Sequence, residues 1–183
     1  MLSLGEEGGT MSIFQDRMIR AAKLDVNLYE EVEADKSAMA QAMGVVVLSS
    51  AAAGIGSFSI TGMSGIVIGT ITALIGWYIW AFITYFIGTK LLPEPQTSAD
   101  HGELLRTIGF SSSPGVIRIL GIIPGLYWLV STVASVWMLV AMIIAVRQAL
   151  DYNSTLRAVG VCLIGWVIQA IFLALMFSIF GRP

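Results

Sequence analysis

Charge is what this chain has least of. Only 12% of its 183 residues are Asp, Glu, Lys or Arg, against roughly 25% in a soluble globular chain. With 56% hydrophobic residues and a strongly positive mean hydropathy, that scarcity excludes an ordinary soluble domain and puts the chain in the membrane class. Neither sign dominates: the formal net charge is −2, which gives no electrostatic case for nucleic acid. The one cysteine, Cys162, excludes an internal disulfide; it sits in an apolar run, where a free thiol packs as a small hydrophobe. The one histidine, His101, has no cysteine near it and only loop carboxylates beside it, so a metal-ligand set cannot be assembled. It reads as a loop residue near a helix start. No nucleophile motif and no strand followed by a Gly-rich phosphate loop is present. The length allows one domain.

A secretory signal is also missing. Glu6 and Glu7 stand where positive charge is needed, and no apolar stretch follows. The run Glu6 to Met11 is encodable by a purine-rich stretch resembling a ribosome-binding sequence ahead of the Met11 codon. Residues 1–10 are therefore expected to be a mis-annotated or disordered N-terminus, and the source prokaryotic.

What is present is helix. Ser12 to Leu24 reads as an amphipathic helix, with Phe14, Met18, Ile19, Ala21 and Ala22 on one broad face and Arg17, Arg20, Lys23 and Asp16 on the other. Ile13 and Leu24 break the pattern. Such a helix either lies flat on an anionic leaflet or packs on the rest of the protein. Asn27 with Glu30 matches a capping box for a second helix, expected to run unbroken through Ala38 into a first span, Ala42–Gly56. An uncharged turn, Gly56 to Gly62, leads to a second span, Gly65–Gly88, long enough for a hydrocarbon core that takes about 20 residues to cross. The polar stretch Thr89–Ser113 holds a second capping-box match, Asp100 with Glu103. A short interfacial helix striped by Leu104, Leu105 and Ile108 follows, ending at Gly109. Ser113 as cap and Pro114 as first helical residue open a short helix, interrupted by Pro124-Gly125. At 1.5 Å per residue it reaches roughly half the hydrocarbon thickness. Leu126–Val146 is the next full span. Asn153-Ser154 caps the last, Val159–Phe180, before Gly181-Arg182-Pro183.

Two topologies fit. Pro114–Ile123 either crosses as a short tilted helix, giving five crossings, or dips in and returns, giving four. Basic residues favour the cytoplasmic side. With five crossings Arg17, Arg20, Lys23, Lys36, Lys90, Arg106, Arg147 and Arg157 share that side and only Arg182 lies outside; with four, Arg147 and Arg157 move out. The distribution favours five, with the N-terminus cytoplasmic and the C-terminus outside. The expected fold is an all-α, polytopic transmembrane helical bundle. It has five membrane helices, one short and Pro-interrupted, plus the N-terminal amphipathic helix.

Several segments in this order carry a resemblance. They are Tyr29-Glu30-Glu31-Val32-Glu33-Ala34-Asp35, the run Trp77-Tyr78-Ile79-Trp80, and Phe86-Ile87-Gly88-Thr89-Lys90. The most specific is Gly102 to Phe110 followed by Ser113-Pro114; Trp137 and Val146-Arg147-Gln148-Ala149-Leu150 complete the set. From Met11 onward the chain resembles the YIP family, the Ypt/Rab-interacting membrane proteins, and especially its small bacterial branch. The resemblance implies a five-helix fold with a cytosolic N-terminus: residues 11–36 as a cytosolic amphipathic region and 37–183 as a YIP-like transmembrane domain. Eukaryotic relatives bind prenylated Rab GTPases in traffic between endoplasmic reticulum and Golgi. With so short a cytosolic region and a prokaryotic source expected, a Rab-type GTPase is not an expected partner. For bacterial relatives the resemblance supplies a fold and a location, the plasma membrane.

Chemistry inside a membrane needs ionisable groups at depth. Spans one, two, four and five hold no Asp, Glu, Lys, Arg or His. No catalytic residue, metal or cofactor is therefore expected, and the chain reads as not an enzyme. Arg118, in the short helix, is the exception. It either snorkels to the cytoplasmic interface, pairs with a loop carboxylate, or holds a lipid phosphate. Arg17, Arg20, Lys23 and Arg106 are candidates for an interfacial surface. Gly65 with Gly69, and Gly121 with Gly125, match GxxxG spacing; Ser131 with Ser135 and Ala141 with Ala145 repeat it with other small residues. Packing within the monomer is the preferred reading of these faces. Gln169 is expected to bond a neighbouring helix and Trp77 to pack between helices. The function expected is a membrane organiser or adaptor binding lipids, other membrane proteins or itself. The alternative is a channel or carrier for a small neutral or hydrophobic solute, suggested by the break at Pro124-Gly125.

Overall fold

The computed structural model describes residues 3–180, with side chains from 11 through 171. The expected stop at Gly181-Arg182-Pro183, and Arg182 with it, lies outside the described residues, as do residues 1 and 2. All regular structure among the described residues is helical. The helices are α1 (Ser3–Ala22), α2 (Val26–Ala34), α3 (Ala38–Gly56), α4 (Phe58–Phe86), α5 (His101–Phe110), α6 (Tyr127–Ala149) and α7 (Thr155–Phe180). A π-helical turn, Ile87–Leu91, extends α4, and a 3-10 segment, Ser113–Ile122, lies between α5 and α6. Three stretches are long and apolar enough to cross a membrane: Ala38–Gly56, Phe58–Leu91 and Tyr127–Ala149. Their outward faces are apolar, as Ile68, Ile71 and Ile75 on α4 illustrate.

Three local expectations need correction. Helix α2 starts two residues earlier than Asn27 as the cap implies: Asp25 is the cap, accepting from the Asn27 amide at 3.0 Å. Asp25 is placed there by a Schellman ending of α1, with Asp25 N–H to Arg20 C=O and Leu24 N–H to Ala21 C=O, both 3.0 Å. Leu24 takes the left-handed position, φ 63°. Second, α2 does not run on into α3. Asp35 turns the chain, accepting from the Ser37 amide (2.9 Å) and hydroxyl (2.6 Å), so its side chain competes with the helix for the backbone. Third, Gly109 does not end α5, which continues to Phe110 and is buried from Leu104 onward against α2, α3, α4 and α6. It is an interior helix, not an interfacial one. The expected capping box at its start is present: Glu103 N–H donates to Asp100 (2.8 Å) and Asp100 N–H to Glu103 (2.6 Å). The uncharged turn after α3 reduces to one helical turn, Phe58–Thr61. It lies between Ser57 and Gly62, whose φ of 64° and ψ of −164° only glycine adopts freely.

The 3-10 segment changes the reach of the third apolar region. It starts at Ser113, one residue ahead of the expected proline, with Ser112 at the cap position and no side-chain cap bond. Ten residues at about 2.0 Å each span roughly 20 Å, more than the same residues would as α-helix. With α5 before it, the run totals about 35 Å. It follows α3 from one end to the other. A Cβ on Gly109 would sit 2.8 Å from the Ala42 Cβ, one on Gly115 would collide with the Ser49 hydroxyl, and one on Gly121 would lie 3.3 Å from the Gly56 Cα. Glycine at these positions lets the two strands of chain touch along their length. The segment wedges between α3 and α6, and α6 returns antiparallel, with Tyr127 beside Gly121 and Met138 beside Gly115.

One end of the bundle gathers the polar connections. The Tyr152 hydroxyl reaches the Gly88 and Leu92 carbonyls freed by the π turn, at 2.9 and 2.7 Å. Gln96 donates to the Asp151 carbonyl at 2.9 Å, and Arg157 pairs with Glu94 at 3.4 Å. Gln148 donates to Glu30 at 2.8 Å. The α2 region, the loop after α4 and the α6–α7 turn therefore share one end. The Gly56–Gly62 turn and Pro124-Gly125 share the other, the distal end. Helix α1 lies across the bundle: Phe14 touches the surface at Gly44 on α3, and Trp137 on α6 donates to the Ala22 carbonyl at 2.8 Å.

Candidate functional site: a groove around Arg118

The four cations expected to form an interfacial surface separate. Arg17 is buried, 8% exposed. Its guanidinium donates to Glu31 (2.8 Å), Gln41 (2.9 Å) and Asp35 (2.8 Å), tying α1 to α2 and α3. Arg20 donates to Asp25 (2.8 Å) and to the other oxygen of Glu31 (2.6 Å). Burial alone would raise the Glu31 carboxyl, but the hydrogen bonds from Arg20 and Arg17 hold it below its usual range. Asp35 is held low first by Ser37 and then by Arg17. Arg106 is 4% exposed and caps the end of α2, donating from Nε to the Val32 carbonyl at 2.9 Å and from Nη2 to the Glu33 carbonyl. A cation there answers the negative end of the α2 dipole. Lys23 alone stays exposed. Sequence periodicity placed Arg17 on the polar face of α1 correctly; it gave no sign that α2 and α3 would cover that face.

The glycine pairs also separate. Gly121 makes a real close approach, to Gly56 and Tyr127. Gly125 is a turn residue with φ 86° and nothing against it. Around Gly69 there is nothing within 4 Å, and Gly65 meets only its own helix at Thr61. These two line a cavity instead of a helix contact. Besides Gly121, the close contacts are made by glycines outside those matches, Gly109 and Gly115 among them.

That cavity is where Arg118 sits. Helices α4 and α6 stay apart, and between them run two adjoining spaces of about 400 and 450 Å³ floored by α3 and the 3-10 segment. Arg118 borders both. Its Nη2 donates to the Ser135 hydroxyl at 3.0 Å, and Ser135 donates to the Ser131 carbonyl at 2.7 Å. Ser135 lies two helical turns inside α6 from Tyr127, roughly 12 Å deep. Arg118 thus sits in the distal part of the bundle, away from the end where the loop carboxylates gather. Among the described residues no carboxylate forms an ion pair with it. Towards the distal end the lining is polar: Ser57, Thr61, Tyr127 and Ser131. In the other direction it becomes aromatic and sulfur-rich, with Trp77, Trp80, Met138, Met142 and Trp166; Gln169 lies there too. Trp77 also packs between helices as expected, donating to the Leu105 carbonyl at 3.0 Å. His101 packs edge-on against Tyr78 and Phe82, centroids 5.0 and 5.9 Å away, outside this groove.

A family model described as the Yip1 domain matches residues 32–177, from the last turn of α2 into α7. The chain belongs to the Yip1 family. Both the Arg118 groove and the α5–3-10 run fall inside its Yip1 domain, whereas Arg17 and Arg20 precede it. Family and apolar helices together make this Yip1 chain an integral membrane protein in contact with the bilayer. No curated protein and no solved structure gives a significant match.

Proposed function

We propose that this Yip1-family chain is a non-catalytic organiser of the bacterial plasma membrane, acting by holding lipids and other membrane proteins. The observation that carries the reading is the chemistry of the groove. Its described lining offers hydroxyls, aromatic faces and one cation, with no carboxylate, thiol or imidazole to act as nucleophile or base. In this reading the bundle crosses the membrane five times, with the α5–3-10 run as the third crossing. Its length, about 35 Å against roughly 30 Å of hydrocarbon, supports this, as does the gathering of Arg106, Arg147 and Arg157 at one end. The N-terminus is cytoplasmic, the C-terminus outside, residues 11–36 a cytosolic amphipathic region and 37–183 the transmembrane domain.

Crosslinking within native membranes, followed by mass spectrometry, should recover the same membrane partner or a second copy reproducibly. Recovery of random neighbours in proportion to abundance would count against the organiser. A C-terminal reporter active only in the cytoplasm would remove the odd number of crossings. The same groove motivates a second reading, a carrier of small neutral or hydrophobic solutes. Liposomes containing only this protein should then show flux, and no flux across a broad solute panel rejects it.

A further inference from the structure

The polarity of the groove changes along its length, and that gradient selects an occupant. We infer that it seats an anionic phospholipid of the distal leaflet, with the phosphate on Arg118 and an acyl chain along the tryptophan-lined inner half. This deepens the lipid-holding part of the organiser reading and is independent of any protein partner.

Three observations lead there. Arg118 has five N–H donors, and among the described residues its guanidinium bonds to Ser135. A cation at this depth without a carboxylate is costly, and a phosphate oxygen pair suits the fork of a guanidinium. Second, the lining of Ser57, Thr61, Tyr127 and Ser131 lies towards the distal end, while Trp77, Trp80 and Met142 lie farther in, beside Ser49, Ser50, Ser111 and Ser112, where the lining is more apolar. A distal-leaflet lipid has the same order, headgroup outward and chain inward. Third, the two spaces of about 400 and 450 Å³ adjoin, sharing Ser50, Ala73, Arg118 and Ser135 in their lining, with Trp166 and Gln169 of α7 beside the inner one. Each falls within the roughly 300–1,000 Å³ of ordinary ligand sites. Gly69 and Gly76 present bare backbone to these spaces, with nothing within 4 Å of an added Cβ.

The test uses the full chain, purified in detergent supplemented with equal phosphatidylglycerol and phosphatidylcholine, with retained lipid counted by mass spectrometry. Wild type should enrich phosphatidylglycerol over phosphatidylcholine roughly tenfold, because both carry the phosphate but the choline ammonium brings a second positive charge beside Arg118. Arg118→Ala should bring the ratio to about one, and Arg118→Lys should fall between, since it keeps charge but loses the fork. Gly76→Leu, whose Cβ would meet nothing within 4 Å and whose side chain enters the inner half, should cut total retained lipid while leaving Arg118 untouched. Helical circular dichroism and elution volume check folding. If Arg118→Ala does not fold, the lysine and Gly76→Leu variants decide the matter.

A wild-type ratio in folded Arg118→Ala, or unchanged lipid retention in Gly76→Leu, overturns the assignment. So does displacement of the lipid by inorganic phosphate as readily as by phosphatidylglycerol, because that describes a free-anion site. Crosslinked partner yield, read on the same variants, separates failure of this site from failure of the organiser reading.

Discussion

At the polar end of the bundle the arginines have been given partners by the fold; in the groove one has not. Arg17 and Arg20 share Glu31, Arg106 closes the end of α2, and Arg157 meets Glu94. Arg147 donates to the Tyr152 carbonyl at 3.1 Å and so supports the α6–α7 turn. Arg118, by contrast, ties among the described residues to a serine and borders the groove. The same side chain therefore does opposite things. Where carboxylates and helix ends converge it joins elements; between α4 and α6 it contributes little to the fold and leaves donors facing outward. The difference makes the first set structural and the second available.

The largest expected effect comes from breaking the structural set. Arg17→Ala removes the donor that Glu31 and Asp35 share and leaves Arg20 as the remaining ion-pair tie from α1 to Glu31. Loss of a buried pair costs about 3–5 kcal/mol. Because Glu31 stays 39% exposed, a value near the lower end, about 3 kcal/mol, is expected, read as thermal or denaturant stability in detergent. Arg118→Leu should move the other way by about 0–1 kcal/mol, since it removes a partly desolvated cation that has no carboxylate. Equal losses at Arg17 and Arg118 would erase the contrast between the two regions.

A second contrast separates the glycines. Gly109→Ala brings a Cβ to 2.8 Å from the Ala42 Cβ and 3.1 Å from its carbonyl oxygen, so about 2 kcal/mol should be lost through overpacking. Gly69→Ala meets nothing and should gain up to about 1 kcal/mol from helix propensity. Unfolding curves of the two variants, measured side by side, should shift in opposite directions. If both destabilise, Gly69 is covered by a partner in the preparation.

How much of this was readable from residues alone follows from where the signals live. Hydrophobic runs and the Asp100–Glu103 box are local, and three of the five expected spans and the α5 start appear where expected. The break at Asp35 was hidden because Glu30, Glu31 and Glu33 are good helix residues; only the fold-back of Ser37 onto Asp35 ends the helix. The α5–3-10 run was hidden because a ten-residue apolar segment at α-helical rise looks too short. Its pairing with α3 through Gly109, Gly115 and Gly121 is a long-range fact without a fixed spacing. The groove was half visible. Arg118 stood out as the cation among apolar residues, but the gap between α4 and α6 that gives it something to do belongs to tertiary packing.

The smallest effect tests the carboxylates of the polar end against one another. Asp25, Glu31 and Asp35 are all held below their usual values, Asp25 chiefly by the Arg20 hydrogen bond. Their stabilisation is present above the ordinary carboxylate range and is lost as pH falls through their folded values. Glu33 runs the other way. Burial first, then Asp151, Glu103 and Glu30, push it from 4.5 to about 7, with Arg106 only partly opposing them. The folded state therefore binds the Glu33 proton more tightly than the unfolded chain, so this group costs nothing below 4.5 and destabilises progressively as pH rises through 7. Glu33→Gln should gain stability relative to wild type at pH 8, by under about 1 kcal/mol after solvent screening, and match it at pH 4. The acidic set makes wild type weaken again below that. Melting temperatures across pH 3–9 should consequently show a maximum in wild type, with an alkaline limb flattened in the variant. An unchanged alkaline limb would mean that water reaches Glu33 freely and that the cluster around it repels less than its geometry implies.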